Sequence, residues 1–142
     1  MNARTSTRFR RERSAVPAAR AFVAHALRSA GAPADVVERL VLAVGEACNN
    51  AIFHAHGPVF TVSVAVTRDL ASVTVADTGA GFDPPEHPPM PAPEATGKRG
   101  LPLMRALVDH VAVASGTGGT TVVLEHPLRR ARLGTRVGAD CR

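Results

Sequence analysis

The stretch VVERLVLAVGEACNNAIFHAHG, residues 36–57, changes character halfway along its length. Its first half repeats apolar residues at helical spacing, which predicts a helix with one core-facing stripe. That stripe consists of Val36, Val37, Leu40, Val41, Val44, Cys48 and Ala51. At about 100° per residue, Glu46 and Asn50 fall almost opposite the stripe and next to each other on one face.

The pair of Glu46 and Asn50 admits two interpretations. An isolated acid and amide on the outside of a helix most simply form a solvated face. An acid beside an amide oxygen also suits a Mg²⁺ site, because this ion needs few protein ligands when water and phosphate oxygens supply the rest. His54 and His56 follow closely, but without a third ligand His54 is predicted to pack near a site rather than to bind metal.

The segments around this helix predict the remaining elements. Residues 14–31 form a helix with Ser14 as N-cap and Gly31 at its end, and residues 99–110 form a third helix. Period-two alternation in residues 59–77 and in residues 111–126 predicts two antiparallel hairpins, and residues 5–12 carry a weak signal for an edge strand. The order weak β, α, α, β, β, loop, α, β, β predicts an α/β (α+β) fold, a two-layer sandwich.

The composition of the 142-residue chain is that of one globular domain, with 45% hydrophobic residues. The net charge of +5 lies at the ends, since residues 1–13 and residues 129–142 each hold five arginines and one acid. The body between them has a net charge of −3, which argues against a nucleic-acid-binding surface. We therefore expect a basic leader (1–13) that includes the edge strand, a folded domain (14–128) and a disordered Arg-rich tail (129–142).

Neither a membrane protein nor a secreted protein is expected. The sequence has no apolar run of membrane-spanning length and no apolar segment behind its N-terminal arginines. The two cysteines, Cys48 and Cys141, have no metal-binding spacing, and Cys48 falls within a helix. A reduced, cytoplasmic protein fits this usage.

A second group of residues follows the predicted strand that ends at Asp77. In VTVADTGAGFDP, residues 73–84, Gly79 and Gly81 come directly after this acid, and glycine permits a close backbone approach to a ligand. Taken alone, the pattern also describes an ordinary turn at a strand end. The segment 78–99 that follows contains six prolines and is predicted to be a long loop, either a functional lid or disordered.

A third group precedes the last predicted helix. In GKRGLPLM, residues 97–104, glycines lead into a helix whose first amides can bind phosphate, and Lys98 and Arg99 add positive charge. A loop-to-helix turn with ordinary glycines is the alternative.

Taken together and in this order, the three groups resemble the ATP site of the GHKL superfamily of gyrase, Hsp90, histidine-kinase catalytic domains and MutL. The segments LAVGEACNNAIFHA, DTGAGFDP, RGLPLMRALVDHV and GGTTVVL are similar to its stand-alone branch, the anti-sigma-factor serine/threonine kinases. The resemblance covers about residues 14–127. It implies a Bergerat-type fold, in which a mixed, mostly antiparallel sheet carries three helices on one face.

The resemblance also implies roles for individual residues. Glu46 matches the catalytic acid that polarises the nucleophile, Asn50 the Mg²⁺ ligand, and Asp77 the carboxylate that accepts the adenine amine. The implied ATP-binding set is Asn50, Asp77, Gly79, Gly81, Gly97, Lys98, Arg99, Gly100, Leu101 and Thr121.

The function implied by the resemblance is that of an ATP- and Mg²⁺-dependent protein-serine kinase that acts as an anti-sigma factor. Such a protein phosphorylates an anti-sigma-factor antagonist and sequesters a sigma factor, without direct contact to nucleic acid or membrane, and a homodimer is compatible with it. A non-catalytic ATP- or ADP-binding partner-switching module is the alternative. The lid favours this alternative, because the branch pattern G-x-G-L is replaced by Gly97-Lys98-Arg99-Gly100-Leu101, with the first glycine displaced by one residue. A histidine-kinase fragment is the weaker option, since residues 1–13 cannot hold a phosphoacceptor helix pair.

Overall fold

The computed structural model describes residues 2–54, 57–77, 101–116 and 118–128. The elements are β1 (Ala3–Arg10), α1 (Ala15–Ser29), α2 (Ala34–His54), β2 (Val59–Val66), β3 (Leu70–Asp77), α3 (helical over the described residues 101–107), β4 (His110–Gly116) and β5 (Gly119–Pro127). The strands form one sheet in the order β1-β2-β3-β5-β4, and all four of these pairings are antiparallel. The predicted α+β fold is confirmed.

The core lies between the sheet and the helices that cover one of its faces. Phe60, Val62, Val64 and Val66 of β2 are buried, as their alternation predicts, and the residues between them are half-buried on the other face. Burial of each such side chain stabilises the fold by about 1.5–3 kcal/mol. The register of the sheet is therefore set by which residues face α1 and α2.

The weakly signalled edge strand is an integral part of the sheet. All eight residues of β1 pair with β2, from Ala3 opposite Val66 to Arg10 opposite Val59. Phe9 provides its anchor, because the Phe9 ring stacks on Phe60 at 5.8 Å and meets Phe22 of α1 edge-on at 6.2 Å. Residues 3–10, which the sequence assigned to a leader, thus contribute a strand and an aromatic contact to the folded unit.

The start of α1 agrees with the prediction in position, because Ser14 is the N-cap residue before Ala15. Ser14 nevertheless has helical backbone angles and makes no side-chain capping hydrogen bond. Its hydroxyl lies 3.4 Å from the Glu12 carboxylate instead. The predicted end of the helix is confirmed, since Gly31 has a φ of +85°, a backbone conformation that favours glycine.

The central helix α2 is buried on a wider arc than the predicted stripe. Ala43, Gly45 and Ala47 are buried together with it, because both α1 and the sheet cover the helix. At Gly45 the guanidinium of Arg20 approaches so closely that a Cβ would lie 2.5 Å from Arg20 Nη2. Burial raises the pKa of the nearby Cys48 thiol to about 12, and the Arg20 charge opposes this shift. Among the described helices none is long and apolar enough to cross a membrane.

Candidate functional site

A cavity of about 160 Å³ opens between α2, α3 and the strands β3, β4 and β5. Its apolar lining consists of Ala47, Ala51, Val75, Leu101, Met104, Val113 and Val122. Its polar lining consists of Asn50, His54, Asp77, Ser115 and Thr120. A concave site with mostly apolar walls and a few polar groups is typical of small-molecule binding.

The fold brings Asn50 and Asp77 to this one cavity from two different elements. Asn50 projects from α2 in its second half, on the side away from the predicted apolar stripe, and is half-buried. Asp77 is the last residue of β3 and is also half-buried. Leu101, the first described residue of α3, lines the same cavity. Three of the residues predicted to bind a nucleotide are therefore neighbours in the structure.

The carboxylate of Asp77 is oriented by the neighbouring strand. The backbone N–H of Thr120 on β5 donates to Asp77 Oδ1 at 3.4 Å. Because β3 and β5 are adjacent antiparallel strands, this contact positions the acid at the floor of the cavity. A carboxylate held in this way can accept a further hydrogen bond from a ligand, since it offers two oxygens.

The cavity lining includes Thr120 rather than the predicted residue Thr121. Thr120 lines the cavity and Thr121 does not, because successive side chains of a strand point to opposite faces of the sheet. Val122 and Leu124 are buried under the helices and have the same parity as Thr120. The signal was present in the sequence, since the buried residues of GGTTVVL determine which of the two threonines faces inward.

Glu46 lies beside the cavity rather than in its lining. It is half-buried and one helical turn before Asn50, so the two residues are separated by about 6 Å along the axis of α2. Two exposed apolar side chains lie on the same helix. Leu42, about one turn before Glu46, is 46% exposed, and Phe53, about two turns after it, is 68% exposed.

Other lining residues were not identified as site residues from the sequence. Ser115 of β4 contacts Thr120 of β5 through their hydroxyls at 3.1 Å, and Met104 is fully buried at the inner end of the cavity. His54 lines the cavity, which agrees with its predicted place near the site. Cross-strand partners such as Ser115 carry no local signal, because only the sheet register brings them to the site.

The remaining predicted site residues lie outside the described part of the chain. They are Gly79, Gly81, Gly97, Lys98, Arg99 and Gly100. Their roles in nucleotide binding stay predictions.

The cavity offers Mg²⁺ a suitable ligand, the amide oxygen of Asn50. Within the described ranges, no three His, Cys, Asp or Glu side chains cluster as a metal-binding group. The Asn50 amide oxygen is a hard ligand in the cavity, and Mg²⁺ commonly binds through one or two protein oxygens together with water and substrate phosphates. Asn50 thus suits an ion that arrives with a phosphorylated ligand.

Comparison with known families gives an independent result. The profile of the histidine kinase-like ATPase domain matches residues 9–125. Three curated relatives bear the name serine-protein kinase RsbW. The protein from Bacillus velezensis is 36% identical, with 65% of this chain and 66% of the relative covered. The protein from Bacillus licheniformis is 36% identical, and the match covers 70% of this chain and 69% of the relative. The protein from Bacillus subtilis is 34% identical, and the match covers 65% of this chain and 66% of the relative. The chain thus spans about two thirds of the length of these relatives.

Two solved structures are similar in fold. One contains the RsbU and RsbW domains of a Mycobacterium tuberculosis protein, with a TM-score of 0.68, 23% identity, and coverage of 89% of this chain and 32% of that one. The other is the histidine kinase domain of a blue-light activated histidine kinase from Erythrobacter litoralis, with a TM-score of 0.55, 26% identity, and coverage of 83% and 63%.

Proposed function

Because this chain belongs to the histidine kinase-like ATPase domain family, which implies ATP binding, we propose that its cavity holds ATP between α2, α3 and the sheet. The observation that carries this assignment is the convergence of Asn50 and Asp77 on one mostly apolar cavity. The apolar walls suit the faces of an adenine ring, and the two polar residues suit its amine and the phosphate-bound cation.

Asp77 is the group proposed to recognise the base. Its carboxylate, oriented by the Thr120 N–H, accepts a hydrogen bond from the adenine exocyclic amine. Guanine offers an oxo acceptor at that position, so two acceptors would face each other and the hydrogen bond that adenine makes would be lost. The site is therefore expected to prefer adenine nucleotides.

The proposed reaction is phosphoryl transfer to a serine of a partner protein. This follows the name of the RsbW relatives, serine-protein kinase. Glu46 takes the proton of the serine hydroxyl, the serine oxygen bonds to the γ-phosphorus, and the bond from the γ-phosphorus to the bridging oxygen breaks, which releases ADP. Mg²⁺, when bound, neutralises phosphate charge. Asn50 would hold the ion through its amide oxygen, and Glu46 is placed on the same helix face one turn away.

The proposed partners are an anti-sigma-factor antagonist, which is the substrate, and a sigma factor, which is sequestered. The cytoplasm, where sigma factors act, is the proposed location, and a homodimer is compatible with this role. The position of Glu46 beside the cavity supports a macromolecular substrate, since Glu46 is half-buried, lies outside the cavity lining and is one helical turn from the exposed side chain of Leu42.

A second candidate is a module that binds ATP or ADP and sequesters a partner without phosphorylating it. The sequence Gly97-Lys98-Arg99-Gly100-Leu101 favours it, because the first lid glycine is displaced relative to the pattern of the kinase branch.

The test is incubation of the purified full chain with labelled ATP, Mg²⁺ and candidate antagonist proteins, followed by phosphoamino-acid analysis. Phosphoserine on one antagonist supports the kinase. Saturable ATP binding with no transfer to any antagonist supports the sequestering module, and absence of ATP binding contradicts both.

A further inference from the structure

Arg11 lies outside the cavity, between β1 and α1, yet its guanidinium contacts the end of α2. Arg11 Nη1 donates to the Ile52 carbonyl oxygen at 2.6 Å, and Arg11 Nε donates to the Gly57 carbonyl oxygen at 2.8 Å. The backbone N–H of Arg11 also donates to the Pro58 carbonyl oxygen at 2.9 Å. These contacts tie the end of the edge strand to the last turn of α2 and to the start of β2.

The contacts of Arg11 supply hydrogen-bond donors that the C-terminal end of α2 needs. The last four carbonyls of a helix have no intrahelical partner, and α2 ends at His54, so the Ile52 carbonyl belongs to this group. A cation at a helix C-terminus also interacts favourably with the helix dipole. The two bonds are partly buried, so solvent screens them less than it would at the surface.

The same turn of α2 forms one wall of the cavity. Asn50, Ala51 and His54 all line it, and Ile52 lies among them in the sequence. A shift or fraying of this turn would displace the Asn50 amide from the cavity. Arg11 contacts the backbone of the turn from outside the cavity, since it is not part of the cavity lining.

We propose that Arg11 is a positioning residue for the Mg²⁺-dependent part of nucleotide binding, because it fixes the turn that presents Asn50. The inference rests on the proposed role of Asn50 as the Mg²⁺ ligand. Arginine suits the position better than lysine, since two nitrogens of one planar fork reach one carbonyl in α2 and another in the α2–β2 connection, whereas an ammonium is a point donor.

The experiment compares Arg11→Ala and Arg11→Lys with Arg10→Ala in the full chain. Arg10 is an exposed neighbour at the end of β1, so its removal changes the charge equally without touching α2. Calorimetric titrations with ATP, in Mg²⁺ and in EDTA, give the Mg²⁺-dependent gain in affinity. Loss of a residue that orients a metal ligand typically weakens affinity or activity by about 10- to 100-fold. We expect a loss of this order in Arg11→Ala, a smaller one in Arg11→Lys, and less than about twofold in Arg10→Ala.

A double-mutant cycle with Asn50→Ala separates positioning from general destabilisation. If Arg11 acts through Asn50, Arg11→Ala in the Asn50→Ala background should cost little further Mg²⁺-dependent affinity. Fully additive losses would overturn the inference. If Arg11→Ala does not fold, the same cycle with Arg11→Lys gives the answer.

Failure of the proposed function has a different signature. An Asn50→Ala variant with wild-type Mg²⁺ dependence would remove Asn50 as a ligand, whatever Arg11 does. Hydrogen exchange of the backbone amides in the last turn of α2 then tests whether Arg11 stabilises that turn. Faster exchange in Arg11→Lys than in Arg10→Ala supports this stabilisation, and equal exchange in the two variants contradicts it.

Discussion

Replacement of Asp77 by asparagine tests base recognition most directly. In the folded protein the Thr120 N–H donates to Asp77 Oδ1 at 3.4 Å, and ATP would donate its exocyclic amine to the same carboxylate. A carboxylate has two acceptor oxygens and can serve both donors. Asparagine has one acceptor oxygen and an NH₂ group. Its amide therefore presents an acceptor oxygen at only one of the two carboxylate oxygen positions, and a donor at the other position faces the NH₂ group.

The expected magnitude follows from this mismatch. Loss of a hydrogen bond to a charged acceptor costs about 1.5–3 kcal/mol, which corresponds to about 10- to 150-fold weaker ATP binding. The preference for ATP over GTP should fall as well, because the new NH₂ group can donate to the guanine oxo group. The fold should persist, since Asp77 is a half-buried residue at the very end of β3.

The assay is calorimetric titration of the wild type and Asp77→Asn with ATP and with GTP at fixed Mg²⁺. Asp109→Asn is the matched control, because it changes the same charge at an exposed residue outside the cavity lining. Asp77→Asn with the ATP affinity and the ATP-to-GTP ratio of the control would show that Asp77 does not contact the base.

Three further predictions address the metal, the reaction and the core. Asn50→Ala should abolish the Mg²⁺-dependent gain in nucleotide affinity. The thermal midpoint of the ligand-free protein should stay nearly unchanged, since Asn50 is half-buried at the cavity. A large drop in that midpoint would show that Asn50 is instead part of the core. Glu46→Gln should slow single-turnover phosphoryl transfer by about 10²–10⁴-fold, the usual contribution of a general base, with ATP affinity little changed; equal, measurable rates would exclude Glu46 as the base. Burial raises the pKa of the Cys48 thiol from 9.0 to about 12, so the unfolded thiol ionises first and stability should decline as the pH rises above 9. The chain has no tyrosine to titrate in that range. In denaturant titrations, the free energy of unfolding of a Cys48→Ala variant should therefore fall less steeply above pH 9 than that of the wild type. An equal fall in both proteins would assign the pH dependence to other groups.

Truncation of the two ends should have different effects. Removal of residues 1–8 would delete most of β1 and its pairing with β2, so a loss of stability is expected. The variant that lacks residues 1–8 should have a lower thermal midpoint than a variant that lacks only residues 130–142. Equal midpoints would show that β1 contributes little.

The sequence by itself predicted most of the local elements and two of the polar residues that line the cavity. Periodicity placed the buried stripe on α2 and the alternating residues on β2 and β3, because helix and strand repeat their side chains every 3.6 and every two residues. Asn50 and Asp77 were identified because each stands at a recognisable point of its own element, opposite the stripe and at the end of a strand. That Asn50 and Asp77 belong to one site was predicted only from the resemblance in the order of motifs. The fold shows how they come together, because both residues line the same cavity.

The tertiary structure decided what depends on contacts between distant segments. The β1 strand carries three arginines on its exposed face and alternates poorly, and it is specified by pairing with β2 and by the contacts of Phe9 with Phe22 and Phe60. Thr120 rather than Thr121 faces the cavity because the burial of Val122 fixes the register of β5. Arg11 finds its partners, the Ile52 and Gly57 carbonyls, across more than forty residues of sequence. Local pattern carries no information about such partners, since a backbone carbonyl at a helix end is the same acceptor whatever its residue type, and only the packed chain determines which donor reaches it.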